Sequence, residues 1–286
     1  MRTTTIQRIL DEQGAVAFPG VYDSLSAKLA EQVGFPMAFI SGYAVAASKI
    51  GEPDHGLLTQ TEMVDQARNI CASVPIPVLV DADTGYGNPL NVHRTVKQLI
   101  AAGAAGCFLE DQVWPKKCGH MRGKKVIDRE QYLQKIRAAV DARAGQDFFI
   151  VARTDAEAVL GLDEAIARVR GAREQGADAS FVEAPGSEEQ LAAIGQRSPR
   201  PNVANMIEGG KTPLLPKARL AELGFDLILY PLTGLYGAAK VIRELYRSLY
   251  EEGTTLGHQD WLMQFADFNR LIGVEEKYDL ADRFGE

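Results

Sequence analysis

The sequence predicts a parallel (β/α)8 barrel of the TIM type, and three observations carry that prediction. Its 286 residues match the usual size of one such barrel. Eight short apolar runs alternate with amphipathic helical stretches. Four of those stretches close on a glycine just ahead of the next apolar run, at Gly34, Gly103, Gly176 and Gly224. A glycine there can turn left-handed, stop the helix and send the chain back.

Taken in order, the predicted strands are 16–19, 38–41, 78–83, 106–110, 148–153, 179–183, 202–205 and 227–231. They are nearly continuous in apolar residues rather than alternating, as strands covered on both faces should be. Helices are predicted at 23–33, 90–102, 128–142, 163–175 and 215–223, with Asp128 suited to cap the third of these. No Pro/Ser-rich linker interrupts the pattern, so 1–286 reads as a single domain. A doubly wound open sheet is the competing fold. No Gly-x-Gly-x-x-Gly loop follows the first strand, which weakens a dinucleotide-binding version of it. The segment 253–286 departs from the pattern as a helical arm, with helices at 258–268 and 271–284 and the aromatics Trp261, Phe265 and Phe268. Such an arm packs on a partner subunit or closes its own barrel.

Composition bounds the function. Hydrophobic residues are 46% and charged residues 24%, as in ordinary soluble domains. The net charge of −7 argues against a nucleic-acid partner. Every apolar run is far short of a membrane span. Three cysteines, Cys71, Cys107 and Cys118, fit free thiols in a reducing compartment. The first ten residues carry Arg2 and Arg8 but no apolar core of a secretory signal, so the cytoplasm is the expected location.

The chemistry should lie at the C-terminal ends of the strands, where barrel enzymes place it. Those ends read Ser41-Gly42-Tyr43, Asp81-Ala82-Asp83, Glu110-Asp111-Gln112, Arg153-Thr154-Asp155, Glu183 and Asn205. Asp81 and Asp83, two apart on a strand, should point the same way, and Glu110 joins them from the next strand. Three carboxylates without a zinc-type His or Cys partner suit Mg²⁺, with Mn²⁺ as the alternative ion. Asp81 could instead cap a helix or pair with Arg153. The Arg153 fork suits a substrate carboxylate, or a structural salt bridge. After the fourth strand, the loop from Trp114 to Lys125 is basic and carries Cys118 and His120 between Gly119 and Gly123. It reads as a lid over an anionic substrate, or as a solvated loop, and its Lys and His residues should lower the Cys118 pKa. Cys71 and Cys107 read as core. Trp114, Leu232, Thr233 and Leu235 are candidate walls of the substrate pocket.

Four motifs carry a family resemblance: DADTGYGN (81–88), EDQVWPKKCGHMRG (110–123), ARTD (152–155) and NMIEGGKTP (205–213). Together they resemble the isocitrate lyase/phosphoenolpyruvate mutase superfamily over nearly the whole chain. The resemblance implies a barrel whose last helix is swapped between neighbours, in a dimer usually doubled to a homotetramer. It implies Mg²⁺ near Asp81, Asp83 and Glu110, with Asp54 in the outer polar shell. It further implies substrate binding by Ser41, Gly42, Lys116, Gly119, His120, Arg153, Glu183 and Asn205. Cys118 looks like the general acid of the lyase branch, with Tyr43 either the base or a packing residue. The substrate so implied is a small anionic di- or tricarboxylate, a 2-alkylmalate or 2-methylisocitrate cleaved to a 2-oxoacid and a second carboxylate. Methylisocitrate lyases usually carry Phe where Tyr86 stands and Asn-Ile-Thr-Glu-Phe-Gly where this chain has Asn205–Gly210. The GGKTP form is more similar to the branch of 2,3-dimethylmalate lyase, petal death protein and carboxyphosphonoenolpyruvate mutase. A phosphonomutase and an oxaloacetate hydrolase therefore stay open. Pro231 stands where hydrolytic relatives tend to have a hydroxyl residue.

Overall fold

The computed structural model describes residues 3–285, so Met1, Arg2 and Glu286 lie outside it. It divides into two compact units, Met1–Thr233 and Gly234–Glu286. The first is the predicted barrel. Its strands are β1 (Val16–Val21), β2 (Ala38–Ile40), β3 (Val78–Asp81), β4 (Gly106–Leu109), β5 (Phe149–Thr154), β6 (Ala179–Val182), β7 (Val203–Asn205) and β8 (Leu227–Tyr230). They pair in parallel in the order β6-β5-β4-β3-β2-β1-β8-β7. A parallel bridge from Ser180 to Asn202 joins β6 to the start of β7 and completes the ring.

All eight predicted runs are strands, and the side-chain period of two explains their composition. Phe18, Phe39, Leu79, Phe108, Val151, Phe181 and Leu229 fill the interior. Val21, Ile40, Val80, Cys107 and Ile150 face the helices outside. Both faces are therefore apolar, and no alternation survives in the sequence. Ile6 and Leu10, from the N-terminal helix Thr5–Gln13, join the interior cluster beside Val16, Phe149, Val203 and Leu227. Those four residues open their strands, so this helix plugs the N-terminal end of the barrel.

Gly34, Gly103, Gly176 and Gly224 all take positive φ, at 98°, 88°, 100° and 96°. Asp128 does precede the helix Arg129–Arg143, but its side chain makes no capping bond. Sequence periodicity did not separate out the helices Thr5–Gln13, Gln60–Ser73, Glu188–Arg197 and Thr233–Glu252. The three cysteines are free.

The second unit contains most of the helix Thr233–Glu252 as well as the expected arm. The single helix expected at 258–268 is instead a 3-10 turn, Leu256–Trp261, followed by the helix Phe265–Ile272. A non-helical His258 (φ −131°) breaks the turn. Gly273, left-handed at φ 76°, separates Phe265–Ile272 from Val274–Phe284. Tyr246, Tyr250, Leu256, Phe265 and Phe284 are exposed in this unit. Among the described residues no helix is long and apolar enough to cross a membrane.

Candidate active site

The C-terminal mouth of the barrel collects the buried charge. Ser41 follows β2 and caps the short helix Gly42–Val45, accepting from Ala44 N at 3.3 Å. Gly42 N in turn donates to Asp81 Oδ2 at 3.3 Å. A Cβ on Gly42 would lie 2.9 Å from that oxygen, so a side chain here would push the acid away.

The strand-based argument for Asp83 needs correction. β3 ends at Asp81, and Asp83 sits beyond it with φ 47°. A tight turn, rather than strand periodicity, brings the two acids together: Asp83 N donates to Asp81 Oδ1 at 3.2 Å. Tyr86 (φ 61°) and Ala184 (φ 57°, directly after Glu183) are also left-handed. Such backbone strain gathers where a site demands a fixed geometry.

Lys116 takes a place that the sequence did not indicate. Its ammonium lies 2.6 and 2.8 Å from the two oxygens of Asp54 and 2.7 Å from Asp83 Oδ1. It is 2% exposed and buried against the acids, not turned to the chamber as a substrate-binding group would be. Even so the cluster is short of positive charge. Among the described residues seven carboxylates are buried (Asp54, Asp81, Asp83, Glu110, Asp111, Asp155, Glu183) against five cations (Lys116, Lys124, Lys135, Arg153, Arg168). Burial pushes Asp83 up to about 7; Lys116 opposes the rise, and Asp81 and Asp54 add to it. Burial likewise holds Glu110 well above the usual carboxylate range despite Arg153. Neither Glu110 oxygen has a hydrogen-bond partner, although Arg153 Nη2 is 3.2 Å from Oε2.

Unsatisfied buried oxygens in a cluster with more acids than cations fit a divalent cation. Among the described residues no group of three or more His, Cys, Asp or Glu side chains is placed to hold a metal ion directly.

Arg153 closes β5 with its fork already engaged. Nε is 3.0 Å from Asp155 Oδ2 and 3.5 Å from Glu183 Oε2, and the guanidinium lies 5.6 Å over the Phe181 ring. Burial alone would raise the Glu183 pKa, but Arg153 and His120 together overcome it and hold Glu183 at about 2. His120 Nε2 is 2.9 Å from Glu183 Oε1, and His120 Nδ1 accepts from Lys211 N at 3.0 Å. Asn205 Nδ2 donates to both Glu183 oxygens at 3.2 Å.

The loop after β4 is a flap folded over this mouth. Its stem is a bridge between Gln112 and Val126, and Cys118 N donates to Asp54 O at 3.1 Å. Gly119 is required by space: a Cβ would meet Glu183 Cγ at 2.4 Å and Arg153 Nη2 at 2.6 Å. The expected lowering of the Cys118 pKa is overturned. Burial under the flap pushes the thiol up to about 11, and a hydrogen bond from the His120 backbone offsets this only in part. The group is a neutral S–H at pH 7, not an activated thiolate.

Beneath the flap is a chamber of about 40 Å³ lined by Ser41, Tyr43, Asp54, Asp81, Cys118, Gly119, His120, Arg153, Glu183 and Asn205. Its remaining wall is Phe39, Phe108, Phe181, Ile207, Leu229, Pro231 and Leu232. Gly42, Asp83, Glu110 and Lys116 stand behind that lining. Of the four residues expected to shape the pocket, Leu232 alone does so. Trp114 is 40% exposed and packs against Tyr86 at 5.7 Å, Thr233 bonds Glu208, and Leu235 belongs to the second unit. The aromatic wall was concealed within runs that read only as core.

A family model described as phosphoenolpyruvate phosphomutase matches residues 6–249. The chain belongs to the phosphoenolpyruvate phosphomutase family. Members similar to it include the carboxyvinyl-carboxyphosphonate phosphorylmutase, chloroplastic, of Arabidopsis thaliana, 53% identical over 98% of this chain and 84% of that protein. The petal death protein of Dianthus caryophyllus is 49% identical over 99% and 89%. The 2,3-dimethylmalate lyase of Eubacterium barkeri is 44% identical over 95% and 94%. Among solved structures, oxaloacetate acetylhydrolase with the inhibitor 3,3-difluorooxalacetate superposes with a TM-score of 0.92 at 35% identity, covering 98% and 96% of the two chains. Phosphonopyruvate hydrolase in complex with oxalate and Mg²⁺ superposes at 0.87 with 29% identity over the full length of both. The phosphoenolpyruvate phosphomutase fold thus hosts lyase, mutase and hydrolase chemistry, and the choice between them rests on the side chains in the chamber.

Proposed function

We propose that this chain is a Mg²⁺-dependent carbon–carbon lyase that cleaves a 2-hydroxydicarboxylate bearing alkyl groups to a 2-oxoacid, such as pyruvate, and a second carboxylate. The observation that carries this reading is the position of the Cys118 thiol, held by the flap over a chamber with an acid cluster on one side and Arg153 on the other. Asp81, Asp83 and Glu110, with Asp54 behind them, would hold the ion, with Mn²⁺ as a substitute. When bound, it supplies positive charge beside the reacting 2-oxygen and carboxylate. Ser41 and Arg153, which line the chamber, orient that carboxylate, while the Gly42 N–H stays on Asp81. Tyr43 Oη, acting as the phenolate, takes the 2-hydroxyl proton as the C2–C3 bond breaks, and the electron pair of that bond passes to C3. Cys118 Sγ then gives its proton to C3. The closed flap keeps water from intercepting that carbanion.

The apolar wall favours a dicarboxylate over a tricarboxylate. Ile207, Leu229, Pro231 and Leu232 offer no cation to a third carboxylate, whereas alkyl groups would pack against them. Pro231 has no donor to orient a hydrolytic water, which weighs against the oxaloacetate hydrolase reading. A phosphonomutase is the second reading, favoured by the 53% identity to the Arabidopsis protein. For assembly, the exposed aromatics of the second unit support a helix-swapped dimer doubled to a homotetramer, which mass photometry would test. The free thiols fit the cytoplasm.

The test is a panel of 2-alkylmalates, 2-methylisocitrate and oxaloacetate with pyruvate detection, and carboxyphosphonates followed by phosphorus NMR. Alkylmalates should be turned over fastest. Cys118→Ser should lower that turnover by roughly 10²–10⁴-fold, the range for a general acid. Phosphonate rearrangement without C–C cleavage, or full turnover by Cys118→Ser, would overturn the reading.

A further inference from the structure

Lys124 is buried although its neighbours Arg122, Gly123 and Lys125 are exposed. Its ammonium turns inward and donates to two acceptors, Gly119 O at 2.6 Å and Asp155 Oδ1 at 2.8 Å. The first is the carbonyl between Cys118 and His120 at the tip of the flap. The second is a wholly buried carboxylate at the end of β5. Asp155 also holds Arg153, accepting Nε at 3.0 Å and Nη2 at 3.3 Å. Asp155 is fixed in its own right. Its backbone N donates to Asp111 Oδ1 at 2.8 Å, and Asp111 is tied to Arg168 Nη1 at 3.0 Å.

A buried ammonium is costly unless its hydrogen bonds are met, and here the flap itself supplies one of them. Asp155 is therefore a counter-ion shared between the barrel, through Arg153, and the flap, through Lys124. We propose that Lys124 is a positioning residue, a latch that sets the Cys118–His120 run over the chamber and registers it against Arg153. Gly119 makes the fit possible, since any side chain there would meet Glu183 and Arg153 before the Lys124 bond could form. The inference rests on the lyase reading only in supposing that the flap carries the proton donor.

The test reads the thiol directly. Full-length wild type, Lys124→Met and Lys124→Arg are alkylated with iodoacetamide at pH 8. Modification of Cys118 is followed by peptide mass spectrometry, with buried Cys107 as the internal reference. Loss of one hydrogen bond to a charged group changes an opening equilibrium by roughly ten- to a hundredfold. Lys124→Met should accelerate Cys118 alkylation by that factor with Cys107 unchanged, and should lower kcat/KM. Lys124→Arg, which keeps a donor cation, should recover part of both. Gly119→Ala, which forces the flap off from its other face, should give the same Cys118 acceleration and serves if Lys124→Met does not fold. Wild-type alkylation of Cys118 in a folded Lys124→Met or Gly119→Ala protein would overturn the latch. Absence of turnover by wild type on every substrate would count against the lyase reading alone, because the alkylation result stands without it.

Discussion

The two ends of the barrel are built from opposite materials. At the N-terminal end, Ile6 and Leu10 seal the interior against Val16, Phe149, Val203 and Leu227, with no charge among them. At the C-terminal end, Asp54, Asp81, Asp83 and Glu110 are buried around one lysine, and two of them are pushed toward their neutral forms. The plug maximises apolar contact. The mouth accepts buried charge that the chain alone does not neutralise. The difference separates residues that hold the barrel together from residues that ready it for a ligand.

The sharpest way to break this division is at the interior. Phe18→Ala should cost about 3–5 kcal/mol of unfolding free energy, as a large-to-small change in a packed core does, while kcat of the surviving folded protein stays close to wild type. Urea unfolding and steady-state kinetics on the same sample would check this, and a proportional loss of kcat would show that the interior also shapes the chemistry.

At the mouth, Mg²⁺ should stabilise. At a hundred times its Kd a ligand adds about 2.7 kcal/mol. The effect should also depend on pH. In the metal-free protein Asp83 binds its proton more tightly folded (about 7) than unfolded (3.8). Its contribution is therefore present at low pH and lost as pH rises from about 4 through about 7. Mg²⁺ must displace that proton, so the rise in Tm on adding Mg²⁺ should be larger at pH 8 than at pH 6. Differential scanning fluorimetry at the two pH values reads this, and a shift that is equal or larger at pH 6 would remove Asp83 from the ion's surroundings.

The smallest effect is the most diagnostic. Glu110→Gln mimics the neutral form that burial already favours, so without metal at pH 8 it should leave Tm unchanged or raise it by the equivalent of about 1 kcal/mol. The same variant should lose turnover and most of the Mg²⁺ response. A strongly lowered Tm would mean that Glu110 belongs structurally with the plug and not with the ligand site.

How far the sequence alone reached follows the same division. The strands were readable because burial on both faces leaves an unbroken apolar run, and the helix stops because a glycine is needed where φ turns positive at Gly34 or Gly176. Rim acids such as Asp81 and Glu183 could be read as strand ends. What escaped depends on contacts far apart in sequence or on burial. Lys116 meets an acid 62 residues away, and Lys124 one 31 residues away. The direction of the Cys118 shift was set by the desolvating flap, which outweighed the nearby positive charge that the sequence displays. The wall of Phe39, Phe108 and Phe181 was hidden for a different reason, since an inward phenylalanine in the middle of a strand looks the same whether it lines a chamber or fills a void.

The bond from the backbone of Lys211 to His120 Nδ1 decides which imidazole nitrogen carries hydrogen. Nδ1 accepts, so a neutral ring bears its hydrogen on Nε2, facing Glu183. Because the donor is an amide, the identity of residue 211 is chemically silent, and evolution can vary it without touching the tautomer. Gly210 has no such latitude: a methyl there would stand 2.6 Å from the accepting nitrogen and dislodge the ring. Two adjacent positions on one turn are thus under opposite constraints, one free in everything but its amide and one restricted to hydrogen alone.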